Sequence, residues 1–251
     1  MIKFAFALFF ISSVLSAAPP IGDILKTMEG IYKMTSDARA RVQMTQQKKD
    51  EGVKNFDILW YRRDRDNAFL MVMAAPENEK GNGYLRVDDN FWMYRRNTRT
   101  FQHINRDESI GGSDAHGEDF ENRKLTEMYA AAKDSSGREM ISQEMLGKIP
   151  VYRFEVKAIV SDVDYPKQIM WVRRDNSLML KQESYASSGA LMQTAYFINY
   201  TMIDGRYVCV KQIFIDEFEK GNKTIVEVSN ISTEKLDDAM FTKAYLENLS
   251  K

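Results

Sequence analysis

The sequence predicts a mostly β protein with a few short helices, built on one large antiparallel sheet that curves. Three observations predict it. Apolar and polar residues alternate with period two through most of the chain, the pattern of strands with one dry and one wet face. Turn residues, among them Asp89-Asn90, Asp175-Asn176, Ser188-Gly189, Asp204-Gly205 and Gly221-Asn222, separate the alternating runs at short intervals, which is hairpin chemistry. No helical pattern recurs between the runs, which argues against parallel βαβ units. About ten or eleven strands are expected, enough for the sheet to curl or close.

The elements follow in order. Lys3, an apolar run from Phe4 to Leu15 and the small residues Ser16 to Ala18 have the layout of a secretory signal peptide, followed by Pro19-Pro20. A cut after Ala17 fits best, since a cut after Ala18 would leave Pro19 at the new terminus. The expected organisation is therefore a signal peptide over 1–17 and one domain over 18–251. The apolar run is short for a permanent anchor. No cysteine lies near the cut, so no lipid attachment is expected there. Ile21, Ile24, Leu25, Met28 and Ile31 then recur at helical spacing. From Ala38 the period becomes two. Strand patterns follow around Ala38–Met44, Phe56–Trp60, Phe69–Ala75, Tyr84–Val87, Phe91–Tyr94 and Thr100–Ile104. Residues 105–135 are polar and irregular, with a helix expected from about Phe120 to Lys133 because Leu125, Met128, Tyr129 and Ala132 share a helical face. Strand patterns resume at Tyr152–Ala158, Gln168–Arg173, Leu178–Tyr185, Leu191–Met202, Tyr207–Ile215 and Lys223–Ile231, and a last helix is expected around Met240, Phe241, Tyr245, Leu246 and Leu249.

Composition fits a folded domain, with 44% hydrophobic and 28% charged residues. Lys and Arg number 35 against 36 Asp and Glu, a net charge of -1, which argues against a nucleic-acid partner. Cys209 is the only cysteine, so no internal disulfide forms; its flanking Val208 and Val210 point to a packed thiol. An exported protein without disulfides suits a bacterial periplasm. The chain holds no GxSxG, phosphate-loop, HExxH or CxxC pattern, so neither catalytic residues nor a cofactor nor a metal is expected. Ser113, Asp114, His116, Glu118 and Asp119 could be drawn as a triad or a metal site, but five neighbouring loop residues lack the spacing either chemistry needs. A polar loop capping the next helix is expected instead. Arg62-Arg63, Arg95-Arg96 and Arg99 stand among Trp60, Tyr61, Phe91, Trp92, Tyr94 and Phe101. Solvated strand faces are the plain reading of that pattern, and a site for an anionic headgroup is the functional one. The 15 methionines, Met71, Met73, Met93 and Met128 among them, serve as core filling or as an adaptable apolar surface.

From Met73 to Asp119 the chain resembles the outer-membrane lipoprotein-sorting family, relatives of LolA-type periplasmic carriers. The resemblance lies in an ordered series. It starts with a strand ending at Pro76, followed by Lys80-Gly81-Asn82-Gly83-Tyr84-Leu85 and Asn90-Phe91-Trp92-Met93-Tyr94 with Arg95 and Arg99. Gly112-Ser113-Asp114 and Glu118-Asp119-Phe120 complete it. Leu236-Asp237-Asp238-Ala239-Met240-Phe241-Thr242 is similar to that family's ending. The loop at Gly112 departs from the family pattern, with Ala115, His116 and Gly117 where an aromatic is usual. The resemblance implies an unclosed β-barrel covered by helices. It also implies a periplasmic carrier without cofactor that shields the acyl chains of a lipoprotein or lipid. An inner-membrane transporter, an outer-membrane acceptor and transient membrane contact are implied partners. The alternative is a non-catalytic envelope interaction module, or an accessory protein of a lipid exporter.

Strand alternation then nominates the residues facing the cargo: Phe56, Ile58 and Trp60; Phe69, Met71 and Met73; Trp92; and Tyr152 and Phe154. Leu125, Met128 and Tyr129 are the expected lid.

Overall fold

The computed structural model describes residues 17–105, 108–120, 124–161 and 163–250. The expected signal peptide lies outside the described residues except for Ala17. The elements are α1 (Ile21–Tyr32), β1 (Ala38–Lys48), β2 (Gly52–Arg63), β3 (Ala68–Ala75), β4 (Gly83–Val87), β5 (Asn90–Arg95), β6 (Thr100–His103), α2 (Leu125–Met128), β7 (Tyr129–Ala131), β8 (Ile141–Leu146), β9 (Ile149–Ala158), β10 (Lys167–Arg173), β11 (Met179–Tyr185), β12 (Leu191–Ile203), β13 (Arg206–Asp216), β14 (Lys223–Thr233) and α3 (Lys243–Leu249).

The strands form one sheet in the order β6-β5-β4-β3-β2-β1-β14-β13-β12-β11-β10-β9-β7, with β8 alongside β9. Sequence neighbours join by hairpins, and the chain's first and last strands pair at the centre, Ala38 opposite Thr233 and Val42 opposite Val228. The sheet stays open, with β6 at one end and β7 and β8 at the other. This is the unclosed, curved antiparallel sheet that the alternation and turns predict, with fourteen strands among the described residues instead of ten or eleven. The helix expected over 120–133 is corrected: α2 has four residues, and Tyr129–Ala131 runs as β7 against Val156–Ala158 of β9. The edge of β9 offers unpaired backbone groups, and satisfying them outweighs the weak helical pattern of Tyr129-Ala130-Ala131.

Two pieces, α1 and the connection from β6 to α2, cover the inner face of the sheet. α1 buries Ile21, Ile24, Leu25 and Met28 against Phe154, Val156, Met170 and Val172 on β9 and β10, together with Leu125, Met128 and Tyr129. Over β1–β5 lies the connection from β6 to α2, which delivers Ile104, Ile110, Ala115 and Phe120 onto Val42, Met44, Phe56, Ile58, Met71, Phe91 and Met93. This connection is a strap tied down by strand side chains. The Gln46 amide donates to the Gly112 carbonyl, Gln193 Nε2 donates to the Asp114 carbonyl at 2.9 Å, and Thr224 Oγ1 accepts from the Asp114 N–H at 3.0 Å and donates to its carboxylate at 2.8 Å. Since Gln46, Thr224 and Gln193 stand on β1, β14 and β12, the strap crosses the middle of the sheet.

The outer face is covered by α3 and the segment before it. Leu236, Phe241 and Leu246 pack on Ala68, Leu70, Val72, Leu85 and Tyr94. Gly83 makes this approach possible, because a Cβ there would come within 2.5 Å of Leu246 Cδ1 and 2.7 Å of the Met71 carbonyl. β3 is thus buried on both sides, with Phe69, Met71 and Met73 inward and Ala68, Leu70 and Val72 outward. That explains why its sequence shows no alternation.

Candidate functional site

Between α1, the strap and the inner face lies a cavity of about 140 Å³. Met28, Glu29 and Tyr32 line it from α1, Trp60 and Arg62 from β2, and Asp119, Phe120 and Leu125 from the strap and α2. Met179, Phe197, Tyr200, Tyr207, Val208, Cys209, Gln212, Val226 and Val228 complete the wall from β11–β14. The lining is mainly apolar and rich in aromatic rings. Its polar groups are largely committed. Arg62 grips Asp64 in a bidentate pair at 2.5 and 2.8 Å, and Glu29 accepts from the Thr126 N–H at 2.7 Å.

A local break in strand pairing shapes the cavity. β12 pairs with β11 only as far as Tyr196 opposite Lys181, and β13 pairs with β14 only from Lys211 opposite Glu227. Register shifts at Phe197/Asn199 and Asn199/Tyr200 mark where the hairpin bends away. Tyrosines fill the gap. The Met179 N–H donates to Tyr32 Oη at 2.8 Å, the two tyrosine hydroxyls lie 3.2 Å apart, and Tyr200 Oη donates to the Met179 carbonyl at 2.7 Å. The Tyr32 and Tyr200 rings stack at 5.9 Å, with Tyr207 edge-on to Tyr200 at 6.4 Å. Burial raises the Tyr32 hydroxyl to about 12 and holds Tyr200 well above the ordinary tyrosine value. Burial also lifts the Cys209 thiol to about 12, so at neutral pH it is held as the thiol and not the thiolate.

Of the nominated cargo residues, Trp60 and Leu125 reach the cavity wall. Phe56, Ile58, Phe69, Met71 and Met73 share the inner face but are packed under the strap, and Met128, Tyr129 and Phe154 are packed under α1. Tyr152 sits half-buried at the rim of that second cluster, with the Arg174 guanidinium 5.6 Å over its ring. Trp92 is on the opposite face: it packs with Phe101 on the α3 side, and the Lys243 ammonium lies 4.4 Å over its ring. Both alternating sets of β5 are apolar, so the pattern there does not say which faces inward.

The alternatives of the loop chemistry are also placed. Ser113 Oγ bonds within its own turn, to the Ala115 N–H at 3.1 Å and the Ala115 carbonyl at 3.3 Å, and not to His116. His116 Nδ1 lies 3.6 Å from Asp164 Oδ2, and Tyr165 stacks on its ring. Among the described residues no group of three or more His, Cys, Asp or Glu could hold a metal ion, and no helix is long and apolar enough to cross a membrane. The basic residues beside Trp60 do not wait for an anionic headgroup: besides the Arg62 pair, Arg63 is bound by Asp66 at 2.7 Å and Asp238 at 2.6 Å.

The open, curved antiparallel sheet with short helices matches solved structures of LolA-like proteins in fold. The structure of a LolA superfamily protein from Nitrosomonas europaea matches 91% of this chain and 100% of its own, with a TM-score of 0.76 at 19% identity. An outer membrane lipoprotein-sorting protein domain from Vibrio parahaemolyticus matches over 90% of this chain and 97% of its own, TM-score 0.78, at 18% identity. A DUF1329 family protein from Desulfovibrio piger covers the same shares, TM-score 0.77, at 23% identity. No curated protein matches the chain in sequence. Residues 65–248 match the model of a family described as "uncharacterized protein", and the chain belongs to that family.

Proposed function

We propose that this chain is a non-catalytic periplasmic carrier that shields acyl chains of a lipoprotein or lipid between α1, the strap and the inner face. The cut of the signal peptide after Ala17 belongs to this reading, as do exchange with an inner-membrane transporter and an outer-membrane acceptor and transient membrane contact. One observation carries the proposal: the apolar, aromatic-walled cavity sits where a half-barrel of this architecture leaves its inner face accessible. The names of the Nitrosomonas and Vibrio proteins support it. The cavity volume sets a condition. Ligand sites ordinarily occupy ~300–1,000 Å³, and about 140 Å³ is too little for an acyl chain. On this reading the structure is the closed form, and loading requires part of the cover to move.

The small cavity also favours a second reading, a static envelope module that docks without holding lipid. One experiment separates the two. The protein purified from the periplasm is extracted for lipid, and the stripped protein is titrated with a fluorescent fatty acid. A carrier yields bound lipid and saturable, stoichiometric uptake that added lipid displaces. Neither lipid nor uptake is expected of a static module, and that outcome removes the carrier reading.

A further inference from the structure

We infer that the moving cover of the cavity is the distal β12–β13 hairpin, residues 197–210, released by the Tyr32–Tyr200–Met179 latch, while α1 stays seated. The inference rests on the carrier reading for its purpose, but not for its observations. Among the described residues, the backbone of 197–210 pairs only within the hairpin itself. β11 has parted from it at Tyr196, and β14, paired with β1 along its whole length, pairs with β13 only as far as Glu227 opposite Lys211. A hairpin with no ladder on either side can swing without breaking the sheet.

Phe197 at its root packs on both inner clusters, and beyond it the remaining attachments are few. The latch ties Tyr200 to Tyr32 and to the Met179 backbone, and Arg206 Nη1 donates to the Gly30 carbonyl at 2.9 Å. Ile203, Val208 and Val210 rest on Met34, Ala38 and Ile231, and of the three hairpin residues only Val208 is fully enclosed. α1 differs in every respect. Ile21, Ile24, Leu25 and Met28 are fully buried, and the Ile21 N–H is bound by Glu139 Oε2 at 2.7 Å. Lifting α1 strips a core, whereas lifting the hairpin breaks a small latch and exposes a few half-covered side chains. Such low-stability units are the ones that open locally. The hairpin also carries Tyr200, Tyr207, Val208 and Cys209 of the cavity wall, so its departure widens the cavity directly.

Cys209 is a built-in reporter, since it faces the cavity from the hairpin. Its alkylation by iodoacetamide is followed in the full-length mature protein without ligand, in dilute urea, where local opening is insensitive to urea and global unfolding is not. Tyr200→Phe and Ile203→Ala are each expected to raise the urea-independent rate about tenfold, the size of one lost hydrogen bond or small apolar contact. Leu25→Ala, which loosens α1 alone, should leave that rate unchanged. The reverse pattern, acceleration by Leu25→Ala and none by Ile203→Ala, makes α1 the cover and overturns the inference. Equal rates in all variants overturn it as well. Because labelling needs no cargo, a mobile hairpin in a protein that takes up no fluorescent fatty acid would refute the carrier reading and leave the inference standing.

Discussion

The tyrosine latch makes a residue-scale prediction with a definite sign. Burial holds the Tyr32 hydroxyl at about 12 in the folded protein, above its ordinary value of 10.0, so folding favours the neutral phenol. That contribution is complete below pH ~10 and is lost as pH rises through ~12. Tyr32 is only half-buried, so at most about 2 kcal/mol is at stake. Urea denaturation of the natural protein should show a fall in stability between pH 10 and 12 that is smaller in the Tyr32→Phe variant, Tyr200 and Cys209 supplying the remainder; identical curves would remove Tyr32 from the latch as a buried network. These tyrosines were not legible as a site. Bulges at β12 and β13 break the parity that strand alternation relies on, and a hydroxyl-bearing ring reads as a wet-face residue until its partner is known. Trp60 and Leu125 were legible because each lies in a clean apolar series. The neighbours of Trp60 in that series, Phe56 and Ile58, share its face but not the cavity, since pattern gives the side of a sheet and not what the strap leaves uncovered.

At the scale of elements, the strap is the piece whose stability depends most on single hydrogen bonds. Asp114 is partly buried beneath it, and burial raises its carboxyl, opposed by the Thr224 hydroxyl and reinforced by the charge of Asp216. Thr224→Val removes both the acceptor for the Asp114 N–H and the donor to its carboxylate, leaving a partly buried charge poorly solvated. A loss of ~1–3 kcal/mol is expected at pH 8. Protonation relieves the charge, so the loss should shrink at pH 4, and an equal loss at both pH values would contradict the account. The ends of the strap also show where elements are hidden from sequence. β7 and β8 exist because β9 has an edge to satisfy, which is a tertiary demand. Ile141–Leu146 is half exposed and weakly patterned, and Tyr129-Ala130-Ala131 has no strong preference of its own. The hairpins, by contrast, were written locally in Asp204-Gly205, Gly221-Asn222 and the alternation around them.

In the whole molecule, the sheet's antiparallel character and curvature were readable, but its strand order was not. Nothing local states that β1 meets β14, and that contact joins the two halves of the sheet beneath α1 and the strap, where the cavity lies. The same arrangement couples stability to capacity. Met28 is fully buried and also lines the cavity, so its side chain occupies space that cargo would need. Met28→Ala should cost ~2–5 kcal/mol by losing buried apolar contacts and enlarging the hollow. A ligand that binds only the folded chain returns stability in proportion to RT ln(1 + [L]/Kd), so a better-fitting cavity gives a larger shift at the same ligand concentration. A fatty acid at fixed concentration should therefore raise the melting temperature of Met28→Ala more than that of the natural protein. Thermal melts with and without the fatty acid read this directly. If the shift is the same in both proteins, or absent from both while the variant is destabilised as expected, then Met28 is core alone and the hollow beside it holds no cargo.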